Sequence, residues 1–175
     1  FSMKMGFRNT FNFYIIFFLI CVQGFIGWFM VSSGLIDRID VSHYRLSIHL
    51  VLAFIILSLI LWNFLKLNKK NIFNQKIRSD LPIIFLVLIF LQIILGAFVS
   101  GMDAGKIYNT WPLMGSTYFP DDNTISNLLN LNIFNNPSLV QFVHRNLAYL
   151  IFFYYLFMLI FIYKNNLFNF FKPIK

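Results

Sequence analysis

Four apolar runs, Phe11–Val31, Tyr44–Leu65, Leu81–Ser100 and Leu139–Tyr163, constrain this chain more than any other feature. Each is close to the ~20 residues that carry a helix across the hydrocarbon core of a bilayer. No water is available there to satisfy backbone N–H and C=O groups, so a single crossing segment must pair them internally, as a helix. Composition agrees: of 175 residues, 59% are hydrophobic and only 11% charged. The sequence therefore predicts an all-α integral membrane protein with four transmembrane helices. The first run is too long and too rich in Phe and Trp for a cleaved signal, and no small-residue cleavage site follows it. The chain starts at Phe1 rather than Met, which suggests a piece of a longer protein. Pro82 is expected at the start of the third helix, where its missing N–H is harmless. Gly24 and Gly27 fall on one side of the first, where a neighbouring helix can approach closely.

Charge placement orients the helices. The lead-in, the 67–80 loop with its approaches, and the tail hold Lys4, Arg8, Lys66, Lys69, Lys70, Lys76, Arg78, Lys164, Lys172 and Lys175. The opposite side has Arg38, Arg45, Lys106 and Arg145 against Asp37, Asp40, Asp103, Asp121 and Asp122. Positive loops stay inside, so both termini and the 67–80 loop are expected in the cytoplasm or an organelle matrix. The long loop 101–138 and the histidine-bearing helix ends are expected outside. The net charge of +8 does not point to nucleic acid, because the basic residues are split among loops and form no stripe. Cys21 is the one cysteine, which excludes an internal disulfide and thiolate metal clusters. The sequence contains no glutamate, so no Glu-based acid–base pair or carboxylate di-metal site can come from it.

The chain also repeats itself. Gln23-x-x-x-Gly27 in the first span matches Gln92-x-x-x-Gly96 in the third; His49, Ala53, Phe54 in the second matches His144, Ala148, Tyr149 in the fourth. Each unit, 1–66 and 81–175, is then a hairpin running out and back, and the two are related by an axis along the membrane normal. Histidines at equal depth near the edge of hydrocarbon are functional candidates, because ionisable groups are costly there. Imidazole is a common axial ligand of haem iron, and helical bundles hold haem between facing helices. Ala53 and Ala148, one turn after each histidine, leave room for a flat macrocycle. Arg45 and Arg145 are candidates to pair with haem propionates, since guanidinium matches carboxylate geometry. Gln141, a turn before His144, is a candidate hydrogen-bonding neighbour. The competing reading makes both histidines interfacial anchors beside snorkelling arginines. His43 is expected to be solvated in the turn before the second span.

In the long loop, Tyr108, Asn109 and Trp111 form a further candidate cluster, with Gly101, Gly105 and Gly115 punctuating a segment able to fold back as a lid. A Trp/Tyr pair at a membrane edge is also the ordinary interfacial anchor. Phe119–Pro137 reads as a polar connector with no assigned role.

Several of these segments, in order, resemble the haem A synthase family in its mitochondrial and alphaproteobacterial branch. They are Gln23–Leu35 (QGFIGWFMVSSGL), Val41–Leu46 with His49-Leu50, Leu95–Gly101 (LGAFVSG), Ala104–Met114 (AGKIYNTWPLM), and Asn136–Phe142 leading into His144-Arg145. The resemblance covers most of Gln23–Leu150. It implies that the chain is the central portion of an eight-helix, two-bundle protein: the last two helices of the first half and the first two of the second. It further implies oxidation of the C8 methyl of haem O to the formyl group of haem A during cytochrome c oxidase biogenesis. His49 would be an axial ligand on the substrate-haem side and His144 on the haem b side, with their partner histidines elsewhere; the catalytic residues stay unassigned. Val143 departs from the branch, which often has an acidic residue before the second-half histidine; the change bears on the tuning of that site. Implied partners are the lipid bilayer, haem O, haem O synthase and an electron acceptor, with a homo-oligomer left open. The location is a bacterial plasma membrane or a mitochondrial inner membrane. The 175-residue chain alone is expected to be inactive. The alternatives are a non-enzymatic cytochrome b-type anchor, in which His49 and His144 share one haem, and an assembly subunit without cofactor.

Overall fold

A computed structural model describes residues 7–34, 41–67 and 80–165. They form four long helices: α1 (Phe7–Gly34), α2 (His43–Leu67), α3 (Asp80–Gly101) and α4 (Pro137–Lys164). All four are long and apolar enough to cross a membrane, and the chain is a multi-pass membrane protein. The helices overrun the apolar runs by a residue to a turn at most ends, because polar flanks continue the helical ladder into the headgroup region. Pro82 lies within the first turn of α3, and Pro137 opens α4. Asn136 caps α4, its side-chain oxygen accepting from the Leu139 N–H. The cap satisfies a donor that has no partner within the helix.

Each helix packs chiefly against its neighbour in sequence, α1 on α2, α2 on α3 and α3 on α4. Burial is concentrated at the end where α3 runs into the long loop and α4 leaves it: Leu95, Ala97, Phe98, Ala104, Met114, Leu139 and Val140 are buried. Elsewhere many large apolar side chains face outward, although Ile16 and Ile56 are buried; Trp28 and Trp62, for example, are 64% and 66% exposed. In a water-soluble protein such surface would aggregate, whereas lipid tails cover it without penalty.

The loop between α3 and α4 is ordered by its own polar contacts. Three short 3-10 helices punctuate it: Ala104–Lys106, Ile125–Leu129 and Leu131–Asn135. Phe119–Pro137, read from sequence as a polar connector, carries two of these short helices. Tyr44 on α2 donates to Asn135 Oδ1 at 2.9 Å, and Phe98 packs edge-on to Tyr44, His43 and Phe134. The loop therefore touches both hairpins. His43 is accordingly not a solvated turn residue. It is the first residue of α2, half-buried, with the Gly101 backbone so close that a Cβ there would lie 2.9 Å from His43 Cα. Most of the charges behind the inside–outside assignment lie outside the described residues: Lys4, Lys69, Lys70, Lys76, Arg78, Lys172 and Lys175, with Asp37, Arg38 and Asp40 of the turn. The loop 68–79 does too.

Candidate functional site

The two hairpins build the same seat twice. Gln23 on α1 reaches across to α2, its amide nitrogen 3.2 Å from His49 Nε2 and 3.0 Å from the His49 carbonyl oxygen. Gln92 on α3 does the same to α4, at 3.3 Å from His144 Nε2 and 3.2 Å from the His144 carbonyl. One turn after each glutamine comes the matched glycine. A Cβ on Gly27 would lie 3.1 Å from His49 Cε1, and one on Gly96 would lie 3.3 Å from His144 Cε1. The glycines let each imidazole ring lie against the backbone of the neighbouring helix. Gly24, also expected at a helix contact, would meet nothing within 4 Å.

The carbonyl contact fixes which end of each amide faces the histidine. The backbone oxygen can only accept, so the group 3.0–3.2 Å away must be the NH2 end. The same NH2 then donates to Nε2, which therefore carries the lone pair, and the ring proton sits on Nδ1. Nδ1 of each histidine and Oε1 of each glutamine are buried without a hydrogen-bond partner. An unpartnered buried polar atom costs about 1–3 kcal/mol, and native proteins rarely leave one without a reason. The same set is orphaned in both hairpins. Metal ligation requires a neutral imidazole with a free ring lone pair, which here is on Nε2. These residues thus fit a haem iron.

His49 faces α1 and His144 faces α3, so the two imidazoles belong to different helix seams. Each lies about two turns into its helix, roughly 10 Å along the axis from the end. Arg45 stacks its guanidinium over Phe29, 5.3 Å from the ring centroid, in a cation–π contact one turn before His49. Ala53 is half-buried and Ala148 exposed.

The remaining candidates are gathered by one stripe of α4. Gln141, Arg145 and Tyr149 follow one another at four-residue spacing, so they share a face. Gln141 Nε2 donates to the Tyr108 carbonyl at 3.0 Å; Arg145 donates to the same oxygen at 2.6 Å and to the Thr110 carbonyl at 2.9 Å. Tyr149 accepts from Trp111 Nε1 at 2.7 Å. Gln141 and Arg145 therefore hold the Tyr108–Trp111 stretch against the turn that precedes and includes His144. Asn109 caps its own turn through the Lys106 carbonyl.

Two aspartates complete the loop, and neither was singled out from sequence. Asp122 accepts from Tyr108 (2.9 Å), Asn123 (2.8 Å) and Ser138 at the start of α4 (2.7 Å). Burial pushes its carboxyl up, but the bonds from Ser138, Asn123 and Tyr108 outweigh that and hold it below the ordinary range. The Tyr108 phenol is pushed up, first by burial and then by its bond to Asp122. Asp121 is held low by the Ser116 N–H and the Thr117 hydroxyl. Gly115 sits at φ +86°, and a Cβ there would collide with the Asp121 carboxylate.

Comparison with known proteins gives the family. The family of cytochrome oxidase assembly proteins, COX15-CtaA, matches residues 3–172. A heme A synthase from Pelagibacter ubique is 52% identical over 159 residues, covering 91% of this chain and 47% of that protein. Heme A synthases from Rickettsia bellii (43% identical, 81% of this chain, 44% of the relative) and Sinorhizobium fredii (46%, 74% and 36%) are also similar. The chain thus spans about half the length, or less, of these curated relatives. No solved structure matches it. With helices, repeat and loop all falling inside the matched region, the chain belongs to the COX15-CtaA family of cytochrome oxidase assembly proteins.

Proposed function

We propose that this chain is the central part of a haem A synthase in a bacterial plasma membrane. The enzyme oxidises the C8 methyl of haem O to the formyl of haem A for cytochrome c oxidase assembly. The observation that carries the reading is the seat made twice: glutamine, glycine and histidine in one geometry in successive hairpins. One metal-ligand imidazole per hairpin, in separate seams, suits two haems and disfavours a cytochrome b-type anchor in which both rings share one iron.

In this reading His49 offers its lone pair on the side that takes haem O, and His144 on the side that takes haem b. Haem b, when bound, would supply a path for electrons leaving the substrate; the protein supplies ligands, orientation and exclusion of water. Arg45 and Arg145 carry positive charge toward propionates at the same membrane edge. Arg145 has five donors, and binding two loop carbonyls does not exhaust them. Tyr108, Asn109 and Trp111 close the outer face above His144, held by Gln141 and Arg145. An electron acceptor, haem O synthase and a second copy of the chain are partners in keeping with this role.

The test uses the protein as its gene encodes it, with His49→Ala and His144→Ala made separately. Each variant is expected to lose one haem, read by pyridine haemochrome and chromatography of extracted haems, and haem A formation is expected to stop. Retention of both haems by both variants overturns the reading.

A further inference from the structure

We propose that Gln23 and Gln92 are positioning residues for the two histidines. Each sets its imidazole in the neutral tautomer with the lone pair on Nε2, and holds that lone pair with a weak donor until iron takes it. The inference rests on the haem-ligand reading above, but it concerns residues which that reading leaves without a role.

Three observations carry it. The first is the fork. In each hairpin a single amide NH2 group contacts both Nε2 and the backbone carbonyl of the same histidine, at 3.2 and 3.0 Å in one and 3.3 and 3.2 Å in the other. An NH2 group has two hydrogens, one for each acceptor, so both contacts are satisfied only when Nε2 is unprotonated. The second is inequality. The contacts to Nε2 are at the long end of hydrogen-bond distances, and those to the carbonyl are the shorter in both hairpins. The amide is therefore held mainly by the backbone, which iron does not compete for, and its hold on the ring is the part that gives way. The third is duplication. Both glutamines are half-buried, both leave Oε1 unpartnered, and both precede by one turn a glycine on which the ring rests. A chance contact between apolar helices would not be expected to recur with the same atoms in both hairpins.

The chemistry explains the use of glutamine. An unliganded histidine in a membrane seam can hold its proton on either nitrogen, and only one tautomer presents the Nε2 lone pair. A carboxylate at the same place would accept a proton from Nε2 and select the wrong tautomer, and it would face the histidine carbonyl with like charge. An apolar side chain would select neither. Partners of ligating imidazoles change metal affinity by roughly 10–100-fold, which sets the size of effect to look for.

The test begins with the wild-type protein, as its gene encodes it and stripped of haem, so that it does not depend on any variant folding. Imidazole nitrogen chemical shifts are expected to put the ring proton of His49 and His144 on Nδ1. A proton on Nε2 in either would overturn the inference for that site. Gln23→Leu and Gln92→Leu are then compared with Asn63→Leu. This control breaks the Asn12–Asn63 hydrogen bond in the same α1–α2 seam without touching a histidine. Gln23→Leu is expected to mix the tautomers of His49 alone. It should weaken haem binding at that site by roughly tenfold or more and shift its midpoint potential and low-spin spectrum. Gln92→Leu does the same at His144, and Asn63→Leu leaves both signatures in place. Unchanged tautomers and potentials in both glutamine variants would overturn the proposal while leaving the haem reading intact. Loss of the haem reading is seen separately, as histidine variants that keep their haem.

Discussion

A methyl group is enough to test the seat at the residue scale. Alanine at Gly27 or Gly96 would press its Cβ on a histidine ring already 3.1 or 3.3 Å away, so the ring must give by a few tenths of an ångström. The helices themselves gain from the exchange, because alanine is the better helix former by ~1 kcal/mol. Gly27→Ala is therefore expected to leave the protein folded while shifting the spectrum of the haem proposed for His49, and Gly96→Ala that of the haem proposed for His144. An optical difference spectrum of each reduced variant decides it. Gly115→Ala should behave differently. Its φ of +86° disfavours any L side chain by about 1–2 kcal/mol, and the new Cβ would force Asp121 off Ser116 and Thr117. Faster proteolysis of the 101–138 loop, with the helices intact by circular dichroism, is the expected result.

At the scale of elements, the 101–138 loop is expected to act as a pH-limited clamp on the start of α4. The folded-state carboxyls of Asp121 and Asp122 are depressed, so the stability they contribute is present above the ordinary carboxylate range and is lost as pH falls through their lowered values. The Tyr108 phenol is raised, so its contribution is present below the ordinary phenol range and is lost as pH rises through the higher value. Both limits lie away from neutrality, and the clamp should hold flat between them. Trp111 reports on it, since its indole N–H donates to Tyr149. With Trp28 and Trp62 replaced by Phe, fluorescence is expected to be constant through neutral pH and to change only in acid or strong base. Asp122→Asn should remove much of the acid limb, and Arg145→Ala should loosen the loop at every pH. This clamp was the least legible part of the sequence. Tyr108, Trp111, Gln141 and Arg145 drew attention as residue types, but the carbonyls that Gln141 and Arg145 hold belong to no residue type and leave no mark in a sequence. Asp121 and Asp122 entered only as charges on one side of the membrane; the Ser138 partner of Asp122 lies sixteen residues away. His43 was misread for a related reason: it flanks the apolar run, and only the close approach of Gly101 shows that it is packed.

For the whole molecule, the repeat was legible because it is written in spacing. Gln-x-x-x-Gly and His-x-x-x-Ala recur at matching places in their helices, and periodicity survives without knowledge of contacts. What spacing did not reveal is that the glutamine of one helix serves the histidine of the next, which depends on how far each pair slides in packing. That arrangement also limits what 175 residues can do. Each hairpin contributes one seated imidazole, and the third histidine, His43, is engaged against α3 at the base of the loop. If six-coordinate haem needs two imidazoles per iron, this chain has one for each of two sites and cannot complete either. Expressed alone in a membrane that makes haem O, the 175-residue chain is therefore expected to insert and to form no haem A. Any haem it picks up should be high-spin and easily washed out, because a single axial bond leaves the sixth position to water. The same residues within a protein of the relatives' full length should give low-spin haem that resists washing. Electron paramagnetic resonance of the two preparations separates these outcomes. A stable low-spin signal from the short chain would mean that a second ligand lies within it, and the one-imidazole-per-hairpin arithmetic would have to be abandoned.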